Sequence, residues 1–270
     1  MMKFSKYSSA GNDFIIMQRD RSLTDLLKKD DITKLCNRNL GIGGDGLLIL
    51  DELDDLDSDF RMQYYNSDGA EAEMCGNGAR AACLFARDKM NLALRNECSG
   101  FRFLTKNGVY EGRFRSECEV ELGMSEIRDF GKFDLQDLAK NKRVDYIQVG
   151  VPHVVIELAE GEEFDIDLAR KVRHDGRFQF GTNVNFVKIE SDQNIFVRTF
   201  ERGVESETLS CGTGVTASGF IMMKWNPGLK QVNVKTRGGD FKVYERDGLI
   251  YLLGKTYHLF DGVLSDKFFK

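Results

Sequence analysis

Two copies of one short motif carry the residues that could do chemistry. Cys75-Gly76-Asn77-Gly78 and Cys211-Gly212-Thr213-Gly214 stand about half the chain apart, and each opens a helical pattern. A helix start offers unpaired backbone N–H groups and a positive partial charge, and glycines beside it let an anion approach closely. The same dipole lowers a cysteine pKa from about 8.5 towards neutrality, so a thiolate is available at working pH. Two such turns could cradle one carboxylate with its α-carbon between the sulfurs. One sulfur would remove the α-proton and the other would return a proton to the opposite face. That is inversion by two bases, and it needs neither a metal nor a carbonyl cofactor if fixed N–H dipoles meet the developing enolate charge. A redox disulfide is the other use of two such cysteines, and the motif by itself leaves both open.

The echo continues down each helix. Four residues past the cysteine stands Ala79 or Val215; seven and eight past stand Ala82 and Cys83, or Ser218 and Gly219; eleven past stands Ala86 or Met222. These offsets share one helical face, and its small side chains let a helix lie close against a sheet. The repeat predicts two similar halves, each with a helix among strands. Alternating or apolar strings predict strands at 13–18, 46–51, 60–65, 144–149, 154–158, 184–189, 195–200, 231–236, 241–245 and 250–254. Helical patterns cover 23–36, 78–90, 134–141, 167–172 and 214–225. Strands outnumber helices and come as meanders, which predicts an α+β fold with mixed or antiparallel sheets.

The 270 residues suit two domains or one large one. With 41% hydrophobic and 30% charged residues, the composition is that of a soluble globular protein. A net charge of −5 gives no electrostatic reason to expect nucleic acid or a membrane surface as partner. No apolar run is long enough to span a bilayer. Residues 1–14 have no apolar signal region, so a cytoplasmic location is expected. Six cysteines stand at 36, 75, 83, 98, 118 and 211 without a C-x-x-C pair, which excludes a zinc ribbon and a thioredoxin-like motif. Cys36, Cys83, Cys98 and Cys118 read as small buried hydrophobes.

The segments from Asn66 to Arg80 (NSDGAEAEMCGNGAR) and from Glu201 to Gly214 (ERGVESETLSCGTG) closely resemble diaminopimelate epimerases. Further matches are Ser9-Ala-Gly-Asn-Asp-Phe14, Gly41-Ile-Gly-Gly-Asp-Gly46, Pro152-His153, Thr182-Asn-Val-Asn-Phe186 and Tyr257-His-Leu-Phe-Asp-Gly262. They span nearly the whole chain. The resemblance implies a cofactor-independent isomerase, with no metal, that converts L,L- to meso-diaminopimelate on the route to lysine and cell-wall precursors. It implies two pseudo-symmetric α+β domains, each a mixed β-sheet wrapped around a central helix, with the active site in the cleft between them. The halves would be 1–115 with a returning tail 256–270, and 116–255; a homodimer is possible.

By the same resemblance Cys75 and Cys211 are the acid–base pair. Gly76, Asn77, Gly212 and Thr213 hold the reacting carboxylate. Asn12, Asn66, Asn183, Glu201 and Arg202 read the distal end of the small-molecule substrate, while His153 and Glu201 set the protonation of the cysteines. An Arg can grip a distal carboxylate bidentately and a Glu can pair with a distal ammonium. Two positions depart from the family pattern. Gly46 stands where many members have Gln, and Val151 where many have Asn, so neither is given a binding role. Arg80 and Arg198 read as solvated or structural. A proline or hydroxyproline racemase also uses a C-G-T-G turn, but proline has no distal carboxylate for Arg202. A binding or redox protein with a Cys75–Cys211 disulfide is the reading from a different class.

Overall fold

The computed structural model describes residues 1–54, 57–72, 74–90, 92–95, 99–124, 127–265 and 267–269. The elements run β1 (Met2–Ser9), β2 (Asn12–Gln18), α1 (Lys29–Cys36), β3 (Gly46–Glu52), β4 (Phe60–Asn66), β5 (Glu71–Ala72), α2 (Gly76–Lys89), β6 (Gly100–Thr105), β7 (Gly108–Phe114) and β8 (Glu119–Met124). Then come β9 (Ile127–Lys132), β10 (Val144–Val149), β11 (Val151–Glu157), α3 (Ile166–Arg173), β12 (Asn183–Ser191), β13 (Asn194–Glu201), β14 (Ser206–Thr208), α4 (Gly212–Trp225), β15 (Gln231–Lys235), β16 (Asp240–Arg246) and β17 (Leu249–Leu264). Two compact units divide the chain: Met1–Leu122 with Gly254–Lys270, and Gly123–Leu253.

In the first unit β1 is antiparallel to both β2 and the end of β17, where Met2 lies opposite Leu264. β2 runs parallel to β3, β3 antiparallel to β4, and β4 parallel to β6, so the sheet is mixed. β2 and β3 are apolar without alternation because both of their faces are covered. Ile15, Met17, Leu47 and Ile49 pack with Ile32 and Leu35 of α1. On the other side Phe14 and Leu48 lie against Gly78 at the start of α2. The small face read from the sequence is the buried one: Ala79, Ala82, Cys83 and Ala86 are all inaccessible.

The second unit repeats the plan. β11 is parallel to β12, β12 antiparallel to β13, and β13 parallel to β15. One sheet face carries Val154, Ile156, Val184, Phe186 and Phe200, which close on Leu168, Ala169 and Val172 of α3. The Asp165 side chain caps α3 by accepting from the Asp167 and Leu168 N–H groups at 2.9 Å each. The intervening residues of the strands point to the opposite face, where α4 packs.

Several expectations need correction. Residues 134–141 form turns, not a helix. The Asp134 side chain accepts from Gln136 N at 3.0 Å and the Gln136 side chain accepts from Asn141 N at 2.9 Å. Side chains thus take N–H groups that a helix would use. The 23–36 pattern splits into a 3₁₀ turn, Thr24–Leu26, and α1. The strand predicted at 250–254 continues to Leu264. Cys36 and Cys83 are buried as expected, Cys118 is only half-buried, and Cys98 lies outside the described residues. No described helix is long and apolar enough to cross a membrane.

Candidate active site

Cys75 and Cys211 each occupy the N-cap of a 14-residue helix, with backbone angles that nearly coincide: φ −127°, ψ 118° and φ −125°, ψ 112°. An N-cap must leave helical geometry, and its side chain then faces the open N–H groups of the first turn. The Cys75 sulfur accepts from Gly78 N at 3.5 Å. The Cys211 sulfur lies 3.4 Å from the Thr213 hydroxyl. Cys211, Gly76, Asn77 and Gly212 are buried, while Cys75 and Thr213 are partly accessible. Each thiol therefore sits where a helix dipole and a row of N–H groups favour negative charge.

In the first unit the structure joins two predicted residues directly. The Asn77 amide donates to Asn12 Oδ1 at 2.6 Å, and Asn12 Nδ2 donates to Asp45 Oδ2 at 2.9 Å. Asp45 is held in turn by Arg38 Nη2 at 2.8 Å, and the same nitrogen reaches Asp13 at 2.6 Å. Burial pushes Asp13 up, but hydrogen bonds from Arg38 and Lys6 outweigh it and hold the carboxyl low. Asn66 stands apart, exposed at the end of β4. Gly46 has a local reason: a Cβ there would come 2.5 Å from the Tyr65 carbonyl and 2.6 Å from the Tyr64 ring. Tyr64 fills the space that a longer residue would need.

In the second unit Asn183 links its neighbours. Its amide donates to the Pro152 carbonyl at 3.1 Å, and its Oδ1 accepts from Arg202 N at 2.9 Å. The half-buried Arg202 donates through its guanidinium to Phe180 O at 3.0 Å. Glu201 is the half-buried last residue of β13. Val151, at the start of β11, is half-buried with no polar group to offer. His153 is inaccessible, and burial followed by the Arg202 charge pushes its pKa down to about 3. Its Nδ1 lies 3.2 Å from Asn185 Nδ2.

Two buried polar residues were not among the sequence candidates. Arg80 is fully buried rather than solvated; its guanidinium donates to Asn77 Oδ1. Burial pushes it down to about 10, with the Cys75 and Cys83 sulfurs acting the other way. Its place five residues past the cysteine, on the buried helix side, was the available signal. Asn185 is equally inaccessible. It sits in the quoted Thr182–Phe186 segment two residues after Asn183, hence on the same strand face. Arg198 is structural, paired with Glu207 at 2.6 Å.

The family model for diaminopimelate epimerase matches residues 4–126 and 146–259. A diaminopimelate epimerase of Aquifex aeolicus is 36% identical over 281 residues, covering 98% of this chain and 99% of the relative. One of Campylobacter lari is 41% identical over 224 residues, covering 82% and 81%. The fold is shared more widely: a hydroxyproline epimerase structure from Agrobacterium vitis superposes with a TM-score of 0.68 at 13% identity, over 97% of this chain and 91% of that one. At that identity the likeness speaks for the fold, whereas the family match runs through both cysteine turns. By this match the chain belongs to the diaminopimelate epimerase family, a family of isomerases.

Proposed function

We propose that this chain inverts one α-carbon of L,L-diaminopimelate to give the meso isomer, with Cys75 and Cys211 as the acid–base pair and no cofactor. The observation that carries this reading is the matched N-cap geometry of the two cysteines. One thiolate takes the α-proton while the other, as thiol, gives its proton to the opposite face of the same carbon. Charge moves into the carboxylate during the step. Backbone N–H groups of Gly76, Asn77, Gly212 and Thr213 meet it there as fixed dipoles that need no reorganisation. The proton count is unchanged and nothing is oxidised; the two cysteines end with their protonation exchanged.

Asn12, Asn66, Asn183, Glu201 and Arg202 read the distal amino-acid end. Arg202 supplies the charge for a distal carboxylate and Glu201 the charge for a distal ammonium. His153 and Glu201 help set the protonation of the cysteines; with its pKa pushed down by burial, His153 does so as a neutral hydrogen-bonding group and not as a second cation. The product feeds lysine and cell-wall precursor synthesis in the cytoplasm. The family resemblance is the ground for a homodimer.

The test is chiral separation of products after incubating reduced protein with L,L-diaminopimelate, with proline and hydroxyproline in parallel. Appearance of the meso isomer without added cofactor supports the reading. Racemisation of proline alone would keep the chemistry and overturn the substrate. Inactivity on all three under reducing conditions would leave the disulfide or binding reading.

A further inference from the structure

The face of the second unit beneath the start of α4 carries a polar chain in an otherwise apolar interior. His153, Asn185 and Thr199 stand on the neighbouring strands β11, β12 and β13, and all three are buried. Asn185 is the direct cross-strand partner of Thr199, and His153 pairs with Asn183, two residues away along β12. Asn185 Nδ2 donates to the Val154 carbonyl at 3.0 Å and touches His153 Nδ1 at 3.2 Å, while its Oδ1 accepts from the Thr199 hydroxyl at 2.9 Å.

These contacts have a single consistent assignment. A backbone carbonyl only accepts, so the atom facing Val154 must be the amide NH₂. That orientation gives the second amide hydrogen to His153 Nδ1, which must then hold a lone pair. In a neutral imidazole the proton is therefore on Nε2. The Nε2 atom is buried and has no hydrogen-bond partner among the described residues. A buried polar group left without a partner is rare in folded proteins, so this one calls for an explanation.

We propose that Asn185, fixed by Thr199 and the Val154 carbonyl, is a positioning residue that locks His153 in its Nε2–H tautomer, so that His153 serves the reaction as a hydrogen-bond donor through Nε2 and never as a base. This deepens the proposed function and rests on its reading that His153 acts on the cysteine chemistry. The lock also accounts for the last glycine of the second cysteine turn. A Cβ on Gly214 would lie 2.3 Å from Asn185 Oδ1 and 3.2 Å from the Thr199 hydroxyl. At Gly78, the matching position of the first turn, the neighbours are Phe14 and Leu48 at 3.4 and 3.5 Å. The two turns thus share a backbone but differ in what meets their last glycine, apolar side chains at Gly78 and the Asn185–Thr199 pair at Gly214.

The test combines ¹⁵N NMR of the imidazole ring with kinetics. His153 signals are assigned by their loss in His153→Gln. In the wild type at neutral pH we expect a pyridine-like Nδ1 and a pyrrole-like Nε2. Asn185→Asp replaces the donor with a carboxylate that can only accept, so Nδ1 must take a proton. There we expect a pyrrole-like Nδ1 and a loss of kcat on the order of 10²–10⁴-fold with KM little changed, the size found when a catalytic histidine is held in the wrong tautomer. Thr199→Val, which removes only the outer support, guards against misfolding of the aspartate variant and should lower kcat less while keeping the wild-type tautomer. A protonated Nδ1 in the wild type would overturn the proposal. So would unchanged kcat in an Asn185→Asp protein whose tautomer has switched. Wild-type protein inactive on L,L-diaminopimelate but with a pyridine-like Nδ1 would overturn the proposed function and keep the lock.

Discussion

Acidification acts on the second unit through His153. Burial, then the Arg202 charge, holds its folded pKa at about 3, against about 6.5 in the unfolded chain. Between those values the unfolded chain binds a proton that the folded chain refuses. The folded state is therefore not penalised above about pH 6.5, and it loses stability as the pH falls through the window below. The slope approaches about 1.4 kcal/mol per pH unit, so the loss at pH 5 is roughly 2 kcal/mol. The measurement is urea unfolding at a series of pH values from about 8 to 5, for wild type and for His153→Gln. Other groups titrate in both proteins, so only the difference between the two curves is read. That difference should be constant above pH 7 and should shift in favour of the variant by roughly 2 kcal/mol at pH 5. Parallel curves across the whole range would refute the burial argument, because they would mean that His153 protonates as freely in the folded chain as in the unfolded one.

Three further perturbations follow from local geometry. Gly214→Ala places a Cβ 2.3 Å from Asn185 Oδ1 and should cost about 1–3 kcal/mol by overpacking; Gly78→Ala, with its nearest neighbours at 3.4–3.5 Å, should change stability by less than about 1 kcal/mol, and chemical unfolding separates the two. Serine in place of either Cys75 or Cys211 leaves an N-cap side chain but a far weaker acid, so turnover should fall by a factor on the order of 10²–10⁴ while the unfolding midpoint hardly moves. Gly46→Gln drives a side chain towards the Tyr64 ring, 2.6 Å from the new Cβ, and should cost about 1–3 kcal/mol; pairing it with Tyr64→Ala should recover part of that cost in a double-mutant cycle.

Much of this arrangement was legible because it rests on local chemistry. The two cysteine turns were readable from the repeat, and both helices begin at the glycine after the cysteine, two residues earlier than the apolar pattern suggested. Pattern alone misses that first turn because glycine and threonine carry no helical periodicity. β2 and β3 were legible as short apolar runs. β1 was not, since Lys3, Ser5, Lys6, Ser8 and Ser9 break its apolar string; it is held by pairing on both edges, to β2 and to the distant β17. The 134–141 segment misled because Leu135 and Ala139 keep helical spacing and are buried, yet Asp134 and Gln136 turn their side chains onto the backbone. Arg80 and Asn185 escaped because buried polar residues look like surface ones in a sequence. Only the register of the strands and the helix face reveal that their partners lie inside.

The central claim is that two cysteines exchange protons with opposite faces of one carbon. The most direct measurement is the early course of the reaction in D₂O, starting from protiated L,L-diaminopimelate, with substrate and product separated before isotope analysis. The account predicts meso product carrying deuterium at the inverted carbon, from a thiol already equilibrated with solvent, while the remaining L,L pool stays protiated. Protium retained at the inverted carbon would mean that a single base carries the hydrogen across, and would contradict the assignment of Cys75 and Cys211 as a pair.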